Sequence, residues 1–209
     1  MDRKTGFKGY SIVSCGTLRR ELAFLNQTAF LNADKILYTA PGLHEVPSEL
    51  KGQLKKQINN AKKYSENIIV IYGNRCYIDI KDPARDIERI IQESVNSAVR
   101  IKAKNCIDMF VSPDERENIS GGQKVYWLSW GWMEHWKIIF KDWDKGKANE
   151  TFPQHDKAIL LDPLGIFDRY CQEHPQQVLE FADWMRLPIE PCGISLDRFK
   201  NLLLETVSS

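Results

Sequence analysis

The feature that most constrains this chain is the regular return of short apolar runs. They lie at 10–14 (YSIVS), 35–39 (KILYT), 68–72 (IIVIY), 99–101 (VRI), 125–128 (VYWL) and 158–161 (AILL). Each is rich in β-branched and aromatic residues, which suit a pleated, packed surface. The run at 68–72 is apolar throughout, as a strand covered on both faces should be. A weaker strand candidate sits at 187–190.

Helical spacing fills the intervals. The segment 18–26 places Leu18, Leu22 and Leu25 on one face, and 47–64 opens on Pro47 and Ser48 and runs through Leu50, Leu54 and Ile58. Another helix is expected from Pro83, with Ile87, Ile90 and Ile91 on one side. Further helices are expected at 130–143, 166–173, 175–185 and 195–207. Strands alternating with helices predict an α/β fold. The expected form is a mainly parallel sheet of about six strands with helices on both faces, Rossmann-like and three-layered. Residues 1–209 are read as a single domain with short flexible ends. Polar loops are expected near 113–123, around Gly121 and Gly122, and near 142–156.

Composition narrows the function classes. The 29 basic and 28 acidic residues nearly cancel, so charge gives no argument for nucleic-acid binding. No apolar run is long enough to cross a bilayer, and the first residues lack the apolar core of a secretory signal. The expected location is cytoplasmic, with no membrane partner. There the five cysteines stay reduced, which favours metal binding, catalysis or packing over a disulfide framework.

Three of those cysteines recur at one structural position. Cys15 follows the first strand in Ser14-Cys15-Gly16-Thr17, Cys76 follows the third in Gly73-Asn74-Arg75-Cys76, and Cys106 follows the fourth. His44 lies just past the second. Ligands of open parallel sheets bind outside the carboxyl ends of the strands, so these side chains are expected to converge there. Gly16 and Gly73 are expected to permit tight turns and close approach to a bound group. Three thiolates, with or without an imidazole, make a tetrahedral zinc site, and soft thiolates also suit Cu(I) or an iron–sulfur cluster. His44 serves as fourth ligand or as a general base. No Cys-x-x-Cys pair is present, so the donor spacing has to come from the fold.

Other residues take supporting roles. Trp127, Trp130, Trp132 and Trp136 form an aromatic patch at and after the fifth strand, and Trp130 and Trp132 are expected to wall the pocket or meet a planar ligand. Asp162 ends the sixth strand, as a helix cap or as support for a metal ligand. Cys171 reads as helix filler, and Cys192 is expected to follow the weak last strand towards the same edge. Neither a dinucleotide fingerprint, a P-loop nor a Gly-x-Ser-x-Gly elbow occurs.

At these residues the chain resembles the DUF1638 family, a domain of unknown function. The resemblance rests on Cys15-Gly16-Thr17-Leu18-Arg19-Arg20-Glu21-Leu22, Leu43-His44, Tyr72-Gly73-Asn74-Arg75-Cys76, Asn105-Cys106-Ile107-Asp108, Tyr126-Trp127-Leu128-Ser129-Trp130-Gly131-Trp132 and Leu160-Leu161-Asp162. It departs at Asn105, where the family usually has His or Asp, and at Val111-Ser112-Pro113, where it often has a Gly-Ser stretch. The resemblance implies a setting beside corrinoid-dependent methyl-transfer proteins.

The expectation is therefore a metal-thiolate protein, with zinc held by Cys15, Cys76, Cys106 and His44, acting in methyl transfer or corrinoid-linked one-carbon metabolism. In that reading it is a metal-dependent methyltransferase working on a small methyl donor or thiol. Corrinoid would be carried by a partner protein or methyltransferase. Two alternatives stand beside it: a metal-free cysteine-dependent enzyme, and a non-catalytic accessory protein for such a partner.

Overall fold

The computed structural model describes residues 6–79, 82, 85–95 and 97–208. The ends expected to be flexible lie largely outside these residues, as does Pro83, where a helix was expected to begin.

Among the described residues seven strands form, divided between two sheets whose pairings are all parallel. In the first sheet, β1 (Tyr10–Ser14) pairs with both β2 (Lys35–Tyr38) and β3 (Asn67–Ile71), and β3 pairs with β4 (Ala98–Arg100). Its spatial order is β2-β1-β3-β4. The second sheet runs β5 (Val125–Leu128), β6 (Lys157–Asp162), β7 (Ile189–Gly193). The α/β class and parallel pairing agree with the sequence pattern. The division into two sheets was not legible, because the sheets meet through side chains and not through a backbone ladder. Ile12, Ile69 and Ile71 of the first share one apolar cluster with Ile159 and Leu161 of the second.

Helices cover both faces. The helices are α1 (Arg19–Gln27), α2 (Pro47–Ala61), α3 (Ile87–Ser94), α4 (Cys106–Phe110), α5 (Pro113–Ser120), α6 (Trp130–Ile139), α7 (Lys145–Thr151), α8 (Phe167–Glu173), α9 (Pro175–Met185) and α10 (Asp197–Ser208). Leu22 and Leu25 of α1 and Phe199 and Leu203 of α10 join the shared cluster. Leu50, Leu54 and Ile58 of α2 and Ile87, Ile90 and Ile91 of α3 pack on Val13, Ile68 and Val70 from the opposite side. A fully buried aliphatic side chain of this kind contributes about 1.5–3 kcal/mol, so these stripes hold the first sheet rigid. Leu128, Ala158 and Leu160 turn the other way, onto Trp136, Phe181 and Met185.

Both segments expected to be polar loops contain helices. Over 113–123 the chain forms α5: Ser112 Oγ accepts from the Glu115 amide (3.2 Å) and Glu115 Oε2 accepts from the Ser112 amide (2.6 Å). This reciprocal cap, with Pro113 in the first turn, outweighs the segment's polarity. Gly121, at φ 58°, ends the helix. Over 142–156, Asp144 caps α7 through the Lys147 amide (2.7 Å), and fully buried Phe152 anchors the 3-10 turn that follows.

One buried group stands out. Glu21 of α1 is fully buried, and neither carboxylate oxygen has a partner from another residue. Burial pushes its carboxyl up to about 7; the neighbouring Arg20 pulls it down, while Glu134 and Asp162 add to the rise.

Candidate functional site

The carboxyl edge of the first sheet is built by three short turns. Cys15 leaves β1 and leads into a 3-10 turn at Gly16–Leu18, whose first bond runs from the Leu18 amide to the Cys15 carbonyl (3.2 Å). His44 lies in a second turn at Leu43–Glu45, and Cys76 closes a third at Asn74–Cys76. Cys106 is the first residue of α4, capped by Asn105 through the Asp108 amide (2.9 Å). The third turn is tied to the loop between β4 and Cys106. The Asn74 amide donates to the Ala103 carbonyl (3.0 Å) and the Arg75 amide to that of Lys104 (2.9 Å).

Glycines allow this closeness. A Cβ on Gly73 would stand 2.3 Å from the Lys104 carbonyl oxygen, and one on Gly131 would stand 2.1 Å from that of Thr17. Gly73 thus lets the Cys76 turn meet the Cys106 loop. Gly131 lets the first turn of α6 lie on the Cys15 turn and deliver Trp132.

The result is a cavity of about 20 Å³ that all three cysteines line, together with His44, Gly73 and Trp132. That volume holds about one water molecule or one ion. Thr17, Tyr72 and Met109 complete the wall that matters chemically.

Thr17 Oγ1 donates to Cys15 Sγ (3.1 Å). The Gly73 amide works against the rise of the Cys76 thiol, and the Trp132 indole and the Ile107 amide against that of Cys106. Yet burial, reinforced by Cys15, pushes the Cys76 thiol up to about 12. Burial raises Cys106 as well, with Cys76 and Cys15 adding to the shift. Arg100 pulls Cys76 the other way, but its guanidinium is engaged by Glu88 (2.8 Å) and the Ile101 carbonyl (2.7 Å). Burial, with the neighbouring sulfurs, keeps these two thiols protonated.

His44 sits against Trp132, ring centres 5.1 Å apart, with Nε2 3.5 Å from Glu45 Oε1. Burial lowers its pKa, and Glu45 opposes that shift. Glu45 also accepts from Trp143 Nε1 (3.1 Å) and faces Lys147 (3.5 Å), which ties the segment around α7 to this side of the site. As the side chains stand, no group of three His, Cys, Asp or Glu among the described residues is arranged to hold a metal ion.

Six of the residues singled out from the sequence come together: Cys15, Cys76, Cys106, His44, Gly73 and Trp132. Gly16 does not line the cavity; it backs onto Thr39 and Pro41, where a Cβ would stand 2.7 Å from the Thr39 carbonyl oxygen. Trp130 is also elsewhere. It is fully buried in the second sheet's core, packed on Tyr170 and donating to Asp162 Oδ1 (2.9 Å). Two residues apart on a helix, Trp130 and Trp132 point about 200° from each other, so only one can face the cysteines. Asp162 accepts from the Ile166 (3.2 Å) and Phe167 (3.0 Å) amides as well, which is the capping role. Cys192 lies within β7, opposite Leu161, and not past it. Thr17, Tyr72 and Met109 escaped the sequence reading. Tyr72 ended an apolar run and read as packing, and only its nearness to Gly73 hinted otherwise.

A family model described as a protein of unknown function, DUF1638, matches residues 38–203. The matched span takes in His44, Cys76, Cys106 and Trp132 and begins after Cys15. No curated protein and no solved structure matches the chain.

Proposed function

The chain belongs to the DUF1638 family, whose description assigns no activity, and from the cysteine cavity we propose that it is a metal-thiolate protein acting in methyl transfer. The observation that carries this reading is the gathering of three thiols in one ion-sized cavity. Cys15, Cys76 and Cys106 all line it, Cys15 accepts from Thr17, and Cys76 and Cys106 are held protonated by burial and the neighbouring sulfurs. A soft cation at their centre would favour the thiolates.

Zinc is the ion of first choice, because three thiolates and a neutral imidazole are a tetrahedral donor set for it. Cys15, Cys76 and Cys106 would hold it, with His44 as the fourth donor; the lowered pKa of His44 keeps its imidazole neutral and able to bind. Each cysteine turns about a single side-chain bond, so rotamer changes would let the three sulfurs close on an ion. An ion held there would lower the thiol pKa values and supply thiolates, the state that attacks a methyl group. Thr17 orients the Cys15 sulfur, and Tyr72 and Trp132 wall the cavity and exclude water. The cavity has no room for a corrinoid, so a corrinoid would stay on a partner protein or methyltransferase. A metal-free nucleophile is the weaker alternative, because Cys76 and Cys106 are then thiols and not thiolates.

Elemental analysis of the purified protein tests the reading. One equivalent of metal per chain is expected, lost when Cys15, Cys76 and Cys106 are all replaced by Ser. Sub-stoichiometric metal that the triple replacement leaves unchanged defeats it.

A further inference from the structure

One buried carboxyl is used neither by the fold nor by the cysteine site. Glu21 of α1 is fully buried, and among the described residues neither of its oxygens has a hydrogen-bond partner. We propose that Glu21 is a proton-operated latch on the cysteine cavity. Protonated, it lets α1 and α6 close with Trp132 in the cavity wall; ionised, it draws water between the two helices and opens the cavity.

The first argument is that nothing beside Glu21 is free to balance its charge. Arg20, its neighbour on α1, is spent on Glu134 of α6, through Nε (2.9 Å) and Nη2 (3.3 Å), and lies over the Trp130 (5.9 Å) and Tyr170 (5.6 Å) rings. Glu134 itself and Asp162, at the end of β6, face Glu21 with negative charge. Tyr38 of β2 is the titratable group on the first-sheet side, and Arg19 is stacked on its ring at 4.2 Å. A buried carboxyl in such surroundings either keeps its proton or takes in water.

The second argument is where water has to enter. Leu22 and Leu25 of α1 belong to the apolar cluster and offer water no partner. The polar side of α1 is the one that meets α6, through the Arg20–Glu134 pair. There Ser129 Oγ, at the N-cap of α6, is likewise buried and without a partner among the described residues.

The third argument is that this interface has no slack. Thr17, one turn before Glu21, meets Gly131 of α6 so closely that a Cβ on the glycine would stand 2.1 Å from the Thr17 carbonyl oxygen. Thr17, Leu18 and Trp132, the residue after Gly131, all line the cysteine cavity. Water that parts α1 from α6 therefore moves the cavity wall as well. The raised pKa of Glu21 sets the sign: closure is favoured at low pH and weakens as the pH rises from about 4.5 to 7.

Iodoacetamide labelling tests the latch, with EDTA present throughout so that no bound ion shields the thiols. Labelling of Cys76 and Cys106 is read by peptide mass spectrometry as a ratio to that of Cys171 on α8. All three thiols titrate above their ordinary value, so between pH 5 and pH 8 their thiolate fractions rise in step and the ratio reports access. The ratio is expected to rise about tenfold or more over that range in the parent and to stay flat in Glu21→Gln. Glu134→Gln is the second variant: it releases Arg20 to pair with Glu21 and should shrink the rise. A flat ratio in the parent, or an undiminished rise in both variants, overturns the proposal.

Discussion

The two sheets present their carboxyl edges in the same way and finish them in opposite ways. At the second sheet, Asp162 takes three donors, from Trp130, Ile166 and Phe167, so its carboxylate is consumed by the fold. At the first sheet, Cys15, Cys76 and Cys106 line one small cavity, where burial and the neighbouring sulfurs raise the Cys76 and Cys106 thiols. The same topological position is a structural plug in one half and a thiol-lined cavity in the other. Strand-end position alone does not mark a site; the unfinished electrostatics do.

That contrast breaks most sharply at Cys106. Cys106→Ala should weaken zinc binding by about 3–4 kcal/mol, roughly one donor's share of a structural zinc site. Metal-free stability should change by less than about 1 kcal/mol, since the change is small and the thiol is unpaired with any cation. Chelator competition and urea unfolding read the two numbers. Equal losses in both would make the first edge a plug like the second.

Gly73→Ala comes next. Its new Cβ would meet backbone at 2.3 Å, which no side-chain movement relieves. A loss of about 3 kcal/mol is expected in urea unfolding, with zinc binding lost as the Cys76 turn leaves the Cys106 loop. Retained zinc affinity would show that the turn is not what positions Cys76.

Glu21, near the seam, tests whether an unsatisfied group there also carries a cost. Its folded pKa, about 7, lies above the ordinary carboxyl value of 4.5, so the folded state holds the proton more tightly. The penalty is absent at low pH, grows between about 4.5 and 7, and is complete above that. Glu21→Gln should therefore gain about 2–3 kcal/mol relative to the parent on going from pH 5 to pH 8. A pH-independent difference in denaturation would mean that Glu21 finds a partner in solution.

Trp130→Phe is the smallest and belongs to the plug. Removing the indole donor to Asp162 should cost about 1–2 kcal/mol and leave zinc affinity unchanged. A zinc affinity that falls with it would join the two edges into one site.

The sequence made the parallel α/β architecture and the convergence of the cysteines legible, because both follow from where residues stand relative to strand ends. Ile68–Ile71 and the Gly73-to-Cys76 turn carry that information locally. It did not separate Trp130 from Trp132, because the helical rotation that sends one to each half depends on where α6 begins. It missed Tyr72 because an apolar strand does not reveal that the residue at its end meets Thr39 and lines the cysteine cavity. The two sheets were invisible for a similar reason: Ile159 and Leu161 read as strand interior whether their neighbour is a helix or another sheet.

The contact of Gly131 with Thr17 has a consequence for the protein as a whole. The thiols are inherited from one half of the chain, but the indole that roofs them is anchored in the other. A fragment ending before β5 would keep the three cavity cysteines and lose their cover, so whatever loosens the joint between the halves also uncovers them.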